Sequence, residues 1–431
     1  MLAAVAVPAG SQARPTANSA YTLRLLQPLA ARGDNSSEAK AINAFGTAVG
    51  SSSYDPVSLH THATQWNPNG SKKDMGVVSG FTYFVALSVN AYGHATGWSA
   101  RNDTSGGAFS PHHPVRWKGG GQVTDLMPAG PDGIGNAIND FDTIVGTAND
   151  PRGSGGNVAI VIARDGVIDQ RGPEVVAWSI SDRGTFVGSR SVDNTGMLHA
   201  TIWRDSGNLE SDLGTVSGMS TEAKAINLFE HVAGEGYSNS TGYGHGQAFI
   251  WRNGAMNPIP NLPYSSYVST NTINNNDEIV GSYTTPSGRR AWLWRKGKPI
   301  DLNTLLPAGS DPTLTSAAGI NDLGQIAGTA KEDGHDRGFV LSPPPRTEAA
   351  NVLAVARKIA PRNKKFQRRV SSSLGTLPKR KPLHAGCRSL EGFVRYLRKT
   401  KAVTQAQHVT LLADVLGLEA QAAKCRKVTH L

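Results

Sequence analysis

An apolar residue followed by Asn, with a Gly seven positions later, recurs along this chain at nearly constant spacing. The pairs are Asn43/Gly50, Asn90/Gly97, Asn139/Gly146, Asn227/Gly234, Asn274/Gly281 and Asn321/Gly328, with Ser181/Gly188 carrying Ser in place of Asn. Successive marks lie 47, 49, 42, 46, 47 and 47 residues apart. A period of this length means that one supersecondary unit is repeated and that each unit buries its faces by stacking on its neighbours. The repeat therefore constrains architecture strongly and chemistry weakly.

Each unit holds four short segments. The first ends in the apolar-Asn pair, as in Ala41-Ile42-Asn43, and the second runs into the Gly, as in Thr143-Ile144-Val145-Gly146. The third alternates up to a Trp, as in His199-Ala200-Thr201-Ile202-Trp203, and the fourth follows a turn, as in Ser211-Asp212-Leu213-Gly214. Short apolar or alternating runs bounded by turn residues read as strands, so each unit predicts a small four-stranded antiparallel sheet. The Asn opens a tight turn, because its side chain bonds backbone groups two residues on and it tolerates left-handed dihedrals. Three residues later stands Gly, or Asp142, Glu230 or Asp277, where a hairpin needs positive φ. The Gly at the seventh position leaves room for a neighbouring backbone.

Residues 21–29 resemble a fourth segment with nothing before it, and the last unit ends at Gly338-Phe339-Val340-Leu341 without a fourth segment. An N-terminal strand that completes the last sheet closes a ring and leaves no edge. The expectation is an all-β β-propeller of seven four-stranded blades, with the N-terminal strand closing the last blade and a small α-helical C-terminal module behind it. The third unit is worn, with Ala159-Ile160-Val161-Ile162-Ala163 replacing the Trp segment.

The units resemble the HAF repeat of bacterial extracellular proteins, through His62-Ala63, His199-Ala200 and Ala248-Phe249 ahead of a Trp, Ile-Asn-x-x-Gly, the apolar-Val-Gly run and Asp-Leu-Gly. The resemblance covers residues 21–342. It implies an exported repeat protein and brings no catalytic residues with it. Gln247, Arg290 and Arg337 stand where other copies have His, so that His is not an obligatory ligand.

Residues 1–20 read as a signal remnant or disordered leader, because an apolar start ends in Ser11-Gln12-Ala13, a small-residue cleavage pattern. The propeller is expected over 21–345, a basic linker with a short helix over 346–384, and a helical hairpin module over 385–431. That module contains both cysteines of the chain, Cys387 and Cys425, which would staple a unit too small to hold itself and suit an oxidising compartment. Of the chain's 43 basic and 33 acidic residues, 19 and 4 lie in 346–431, so the net charge of +10 is a property of the tail. Arg362, Lys364, Lys365, Arg368, Arg369, Lys379, Arg380 and Lys381 concentrate it, and such a run attracts anionic envelope polymers or lipid head groups by counterion release. No apolar run approaches the ~20 residues of a membrane span.

The chain shows no Gly-x-Ser-x-Gly, no His-Glu-x-x-His and no phosphate-binding Gly-x-x-x-x-Gly-Lys. No catalytic residue, metal ligand or cofactor is assigned. Asn139-Asp140-Phe141-Asp142 and Asn274-Asn275-Asn276-Asp277-Glu278 have the oxygen spacing of a calcium loop but fall on the repeat turn. His60, His62, His112 and His113 lack a carboxylate fixed by spacing. The variable loops between second and third strands carry the candidate ligand residues Trp98, Tyr237, Tyr243 and His245. The leading expectation is an exported, non-catalytic binding or scaffold protein, with a glycan or protein ligand on a propeller face. The alternatives are an extracellular enzyme acting on polysaccharide or peptide, which requires carboxylates, Arg or His converging at the channel mouth, and a nucleic-acid binder through the basic tail.

Overall fold

A computed structural model describes residues 21–415, apart from 30–35, 55–59, 102–110, 152–155, 193–195, 205–208, 239–243, 264, 266, 376–386, 401–402, 406, 409 and 412. The repeat period becomes seven antiparallel blades arranged in a ring. Their innermost strands are Ser37–Ile42, Tyr83–Val89, Gly133–Ile138, Val175–Ile180, Ser220–Ile226, Tyr267–Ile273 and Thr313–Ile320, for blades 1 to 7 in chain order. Blade 7 is completed from the other end of the chain. Thr22–Leu26 pairs antiparallel with His335–Ser342, in register Thr22 to Ser342 and Leu26 to Gly338. The worn third unit still forms a full blade, with Ile162 opposite Ile144 where other blades place Trp opposite the same register position.

The repeated Gly answers a specific collision. Every inner strand carries a bulge against its neighbour, such as between Ala177 and Ser179 or Thr270 and Thr272. The bulge pushes a carbonyl over the Gly of the second strand. A Cβ on Gly50, Gly97, Gly146, Gly188, Gly234, Gly281 or Gly328 would lie between 1.7 and 2.2 Å from that oxygen. The repeated Trp residues fill the space between blades: Trp66, Trp117, Trp203 and Trp294 are at most 7% exposed.

The expected small helical C-terminal module is present, but the stretch before it departs from expectation. What reads in sequence as a basic linker with a short helix holds two longer ones, α1 (Pro345–Lys358) and α2 (Lys364–Leu374). These are followed by α3 (Cys387–Leu397) and a last helical stretch between residues 405 and 415. Asn363 caps α2 by accepting the Phe366 N–H at 3.0 Å, and Phe366, Val370 and Leu374 recur at helical spacing on a buried face. This face and α1 and α3 form one apolar cluster with Leu228, Leu323, Phe45, Phe141 and Phe229, which are residues of the repeat turns. The helices are thus a cap seated on the end of the propeller where those turns lie. Cys425 is outside the described residues, and the expected pairing with Cys387 falls there too.

Candidate functional site

The two ends of the central channel differ. At the turn end, each Asn does two jobs. Its Oδ1 accepts N–H groups of its own turn, as Asn90 does from Tyr92 and His94 at 3.0 Å and Asn321 from Gln325 at 3.0 Å. Its Nδ2 reaches the main-chain oxygen of the same residue one blade on. Asn43 donates to Asn90 O, Asn90 to Asn139 O, Asn139 to Ser181 O, Asn227 to Asn274 O, Asn274 to Asn321 O and Asn321 back to Asn43 O, at 2.9–3.2 Å. The chain of amides circles the channel and is interrupted where Ser181 has no amide to offer Asn227.

One residue further along each turn, a second ring faces a cavity of about 210 Å³. Asp140, Asp182 and Asp322 line it, and the cap adds Thr410, Ala413 and Asp414. Asp140 Oδ1 accepts the Ala91 N–H at 2.7 Å and Asp182 Oδ1 the Asp140 N–H at 2.9 Å. Thr410 donates its hydroxyl to Asp182 Oδ2 at 2.8 Å. The Asp322 and Asp414 carboxyls face the same cavity. Burial, then Asp182 beside it, pushes the Asp140 carboxyl up to about 8. Burial also raises Asp182, Asp322 and Asp414, the last with Asp322 as its next cause. Among the described residues, no group of three or more His, Cys, Asp or Glu is placed to hold a metal ion.

The opposite end is open and forms a cleft of about 970 Å³. Hydroxyls and amides make up much of its wall, including Ser269, Thr270, Thr313, Thr315, Asn136 and Asn271. The chemistry is densest over blades 4 to 6. Lys224 lies over the Trp178 ring at 4.0 Å from its centre. Its ammonium is paired with Glu222 and stands 3.9 Å from Glu235 Oε1. Glu235 Oε2 accepts the Thr270 N–H at 2.7 Å, and Tyr237 donates its hydroxyl to Glu222 Oε1 at 3.2 Å. Burial raises the Glu235 carboxyl above its ordinary range, with Lys224 and the Thr270 N–H opposing it. Burial and the adjacent Glu222 raise the Tyr237 phenol. Trp178 Nε1 is buried without a hydrogen-bond partner.

Of the four candidate ligand residues, Tyr237 belongs to this group. Trp98 does not. It sits within the second strand of blade 2 and meets the His112 ring edge-on at 4.8 Å. Tyr243 lies outside the described residues, as does the side chain of His245. The basic residues separate in a similar way. Arg362, Lys364, Lys365 and Arg368 are exposed. Arg369 instead ties the cap together, donating to Gly392 O at 2.9 Å and facing the Tyr396 ring. Lys379, Arg380 and Lys381 lie outside the described residues.

His62 and His113, weighed above as metal ligands, have carboxylate partners that spacing conceals, and His199 follows the same pattern. His62 Nδ1 bonds Asp74 at 2.7 Å, His113 bonds Asp125 at 2.8 Å and His199 bonds Asp212 at 2.8 Å. Each pair clasps third strand to fourth, so the His of the repeat belongs with the Asp of its Asp-Leu run. In blade 6 Arg290 replaces the His and pairs with Asp301 at 2.8 Å.

No family model matches the chain, and no curated protein matches it. Among solved structures it is similar to TolB from Acinetobacter baumannii, with 13% identity and a TM-score of 0.39, over 66% of this chain and 76% of that one. It is also similar to an oligogalacturonate lyase from Vibrio parahaemolyticus, with 9% identity and a TM-score of 0.47, over 75% and 97%. A third is YCF48 bound to D1 peptide, with 9% identity and a TM-score of 0.45, over 77% and 98%. These likenesses concern the β-propeller fold alone. Among the described residues, no helix is long and apolar enough to cross a membrane.

Proposed function

We infer that this chain is a binding propeller of the HAF-repeat kind, exported, with its ligand site in the open cleft. The observation that carries the reading is the inequality of the two ends: the chain's own cap covers one, and the other opens into about 970 Å³. Concave sites with a few fixed polar groups are where propellers and other folds bind ligands. The charges of this wall are largely matched internally, Lys40 with Glu38 at 2.5 Å, Lys224 with Glu222, and Lys331 with Asp336 at 3.2 Å. What remains for a ligand are hydroxyls, amides, Arg289 and the unmet Trp178 donor. That set suits a neutral, hydroxyl-rich ligand, and a glycan is the class it fits. The exposed face of α2, with Lys364, Lys365 and Arg368, supplies a separate contact for anionic polymers or lipid head groups.

The test is binding of the full chain to a glycan array and to anionic vesicles, at low and high salt. Arg289→Ala should weaken glycan binding at least ten-fold and leave vesicle binding intact. The triple change Lys364→Glu, Lys365→Glu, Arg368→Glu should do the reverse. Selective capture of peptides with no glycan bound would replace the ligand class, and loss of both activities in the triple variant would merge the two sites.

A catalytic reading rests on one specific observation. Glu222 and Glu235 flank one ammonium beside a phenol, so carboxylates do converge at the mouth. A buried carboxyl with a raised pKa beside a second carboxylate is the pairing that glycoside hydrolysis uses. If the bound glycan is cleaved on prolonged incubation, and Glu235→Gln binds it without cleaving it, the protein is an enzyme.

A further inference from the structure

We propose that the capped end of the channel is a proton-operated lock, in which the cap seats on the propeller only when the carboxyls it buries share protons, and lifts as they ionise. The argument begins with where the cap puts an acid. Asp414 projects from the last helical stretch into the 210 Å³ cavity, is 2% exposed, and finds Asp322, itself 6% exposed, as its facing group. Asp414 Oδ2 is buried with no N–H or hydroxyl donor in reach. Across the cavity it meets the Asp322 carboxyl, and two carboxyls buried together are not both ionised. Asp140 and Asp182 line the same cavity, and Thr410 bonds Asp182 from the cap.

No cation offsets this charge. Among the described residues, none of the four carboxyls is in a salt bridge. The neighbouring charged groups have partners elsewhere, His408 excepted. From the turns, Asp142 is bonded to His94 at 2.7 Å and Glu278 to Arg295 at 2.5 Å. From α1, Lys358 holds Asp277 at 3.1 Å, and Glu348 accepts the Gln325 side-chain N–H at 3.0 Å. From the last helical stretch comes His408, whose Nε2 is buried without a partner. Among the described residues, these carboxyls are not grouped to ligate a metal ion.

The sign follows from linkage. Docking buries the Asp414 and Asp322 carboxyls against each other, so the docked state favours protons that the open state releases. Docking is therefore tightest below the ordinary carboxylate range near 4. It weakens as pH rises through that range and above it. Each proton taken up on closure makes the closing equilibrium fall about ten-fold per pH unit across that window. Opening would expose the acidic ring and release the basic helix α2 from the propeller.

The experiment is hydrogen exchange of the full chain from pH 4.5 to 8.5, corrected for intrinsic exchange, following amides of α1, α2 and α3. Their protection should fall by at least ten-fold per pH unit over part of the range, while the blades stay protected. Asp414→Asn supplies from its amide the N–H that the shared proton supplies, so it should keep the cap protected at pH 8 and flatten the slope. Asp322→Asn should do the same from the propeller side, and Asp182→Asn serves if either variant fails to fold. Glu348→Gln should leave most of the slope. The proposal falls if protection does not change with pH, if the slope survives in the Asp variants, or if Glu348→Gln alone abolishes it. It falls equally if calcium or magnesium restores protection at pH 8 and a chelator removes it, since the cavity would then be a cation site.

Discussion

At Ser181 the circle of side-chain amides is broken, and this one position shows what the others contribute. Ser181 O accepts from Asn139, but nothing passes from residue 181 to Asn227 O. Ser181→Asn should complete the ring and stabilise the fold by about 1 kcal/mol, the usual net value of a buried hydrogen bond, read as a higher denaturation midpoint at unchanged m-value. A lower midpoint would mean that the turn of blade 4 cannot adopt its neighbours' geometry. The conserved spacing of Gly is more exacting. A Cβ on Gly281 meets Ser269 O at 1.9 Å and Trp292 Nε1 at 2.8 Å. Gly281→Ala should therefore cost about 2–3 kcal/mol, in the range of overpacked core positions. Both residues were legible in the sequence as repeat marks. Their partners were not, since the acceptor of each Asn amide lies a whole repeat away and a β-bulge leaves no trace in composition. Asp140, Asp182 and Asp322 were concealed for the same reason: each reads as ordinary turn variation until three blades bring them to one axis.

The four-strand blade was legible because period-2 alternation, Trp and Gly all recur in register. The His-Asp clasps were half-legible, with both partners inside the repeat but joined only once the third and fourth strands pair. The helical C-terminal module was legible, but the first part of the cap was misread. Arg and Lys between Pro361 and Ser371–Ser373 suggested a solvated linker, although Phe366, Val370 and Leu374 kept helical spacing. Net charge outweighed a three-residue apolar stripe that has meaning only against an apolar surface, here the turn residues Leu228, Leu323 and Phe229. Phe366 is fully buried, between the Phe393 and Tyr396 rings at 6.5 and 6.3 Å. Phe366→Ala should remove about 3–5 kcal/mol of cap docking, as for large-to-small core changes. Hydrogen exchange should rise throughout α1 to α3 and remain low in the blades, whereas a uniform rise would show that cap and propeller unfold as one unit.

For the whole molecule, stability rests on closing the ring, and the closing strand is bound on two sides. Within blade 7 it pairs along Thr22–Leu26. Towards blade 1, Arg24 donates to Asn67 O at 2.8 Å, Trp66 Nε1 to Gln27 O at 2.8 Å, and Lys72 to Pro28 O. Leu26, 1% exposed, sits in that seam with Ala39, Ile42, Ala48, Trp66, Ala327 and Val340. Here residues from the first and last units share one core, so a local loss acts on the closure of all seven blades. Leu26→Ala should cost about 2–5 kcal/mol. Because a ring without its seam exposes sheet edges, the loss should appear as one earlier cooperative transition followed by Trp fluorescence, with no separate early phase. An early phase confined to Trp66, with the remaining transition unmoved, would mean instead that the seam frays alone and that the other blades hold their ring without it.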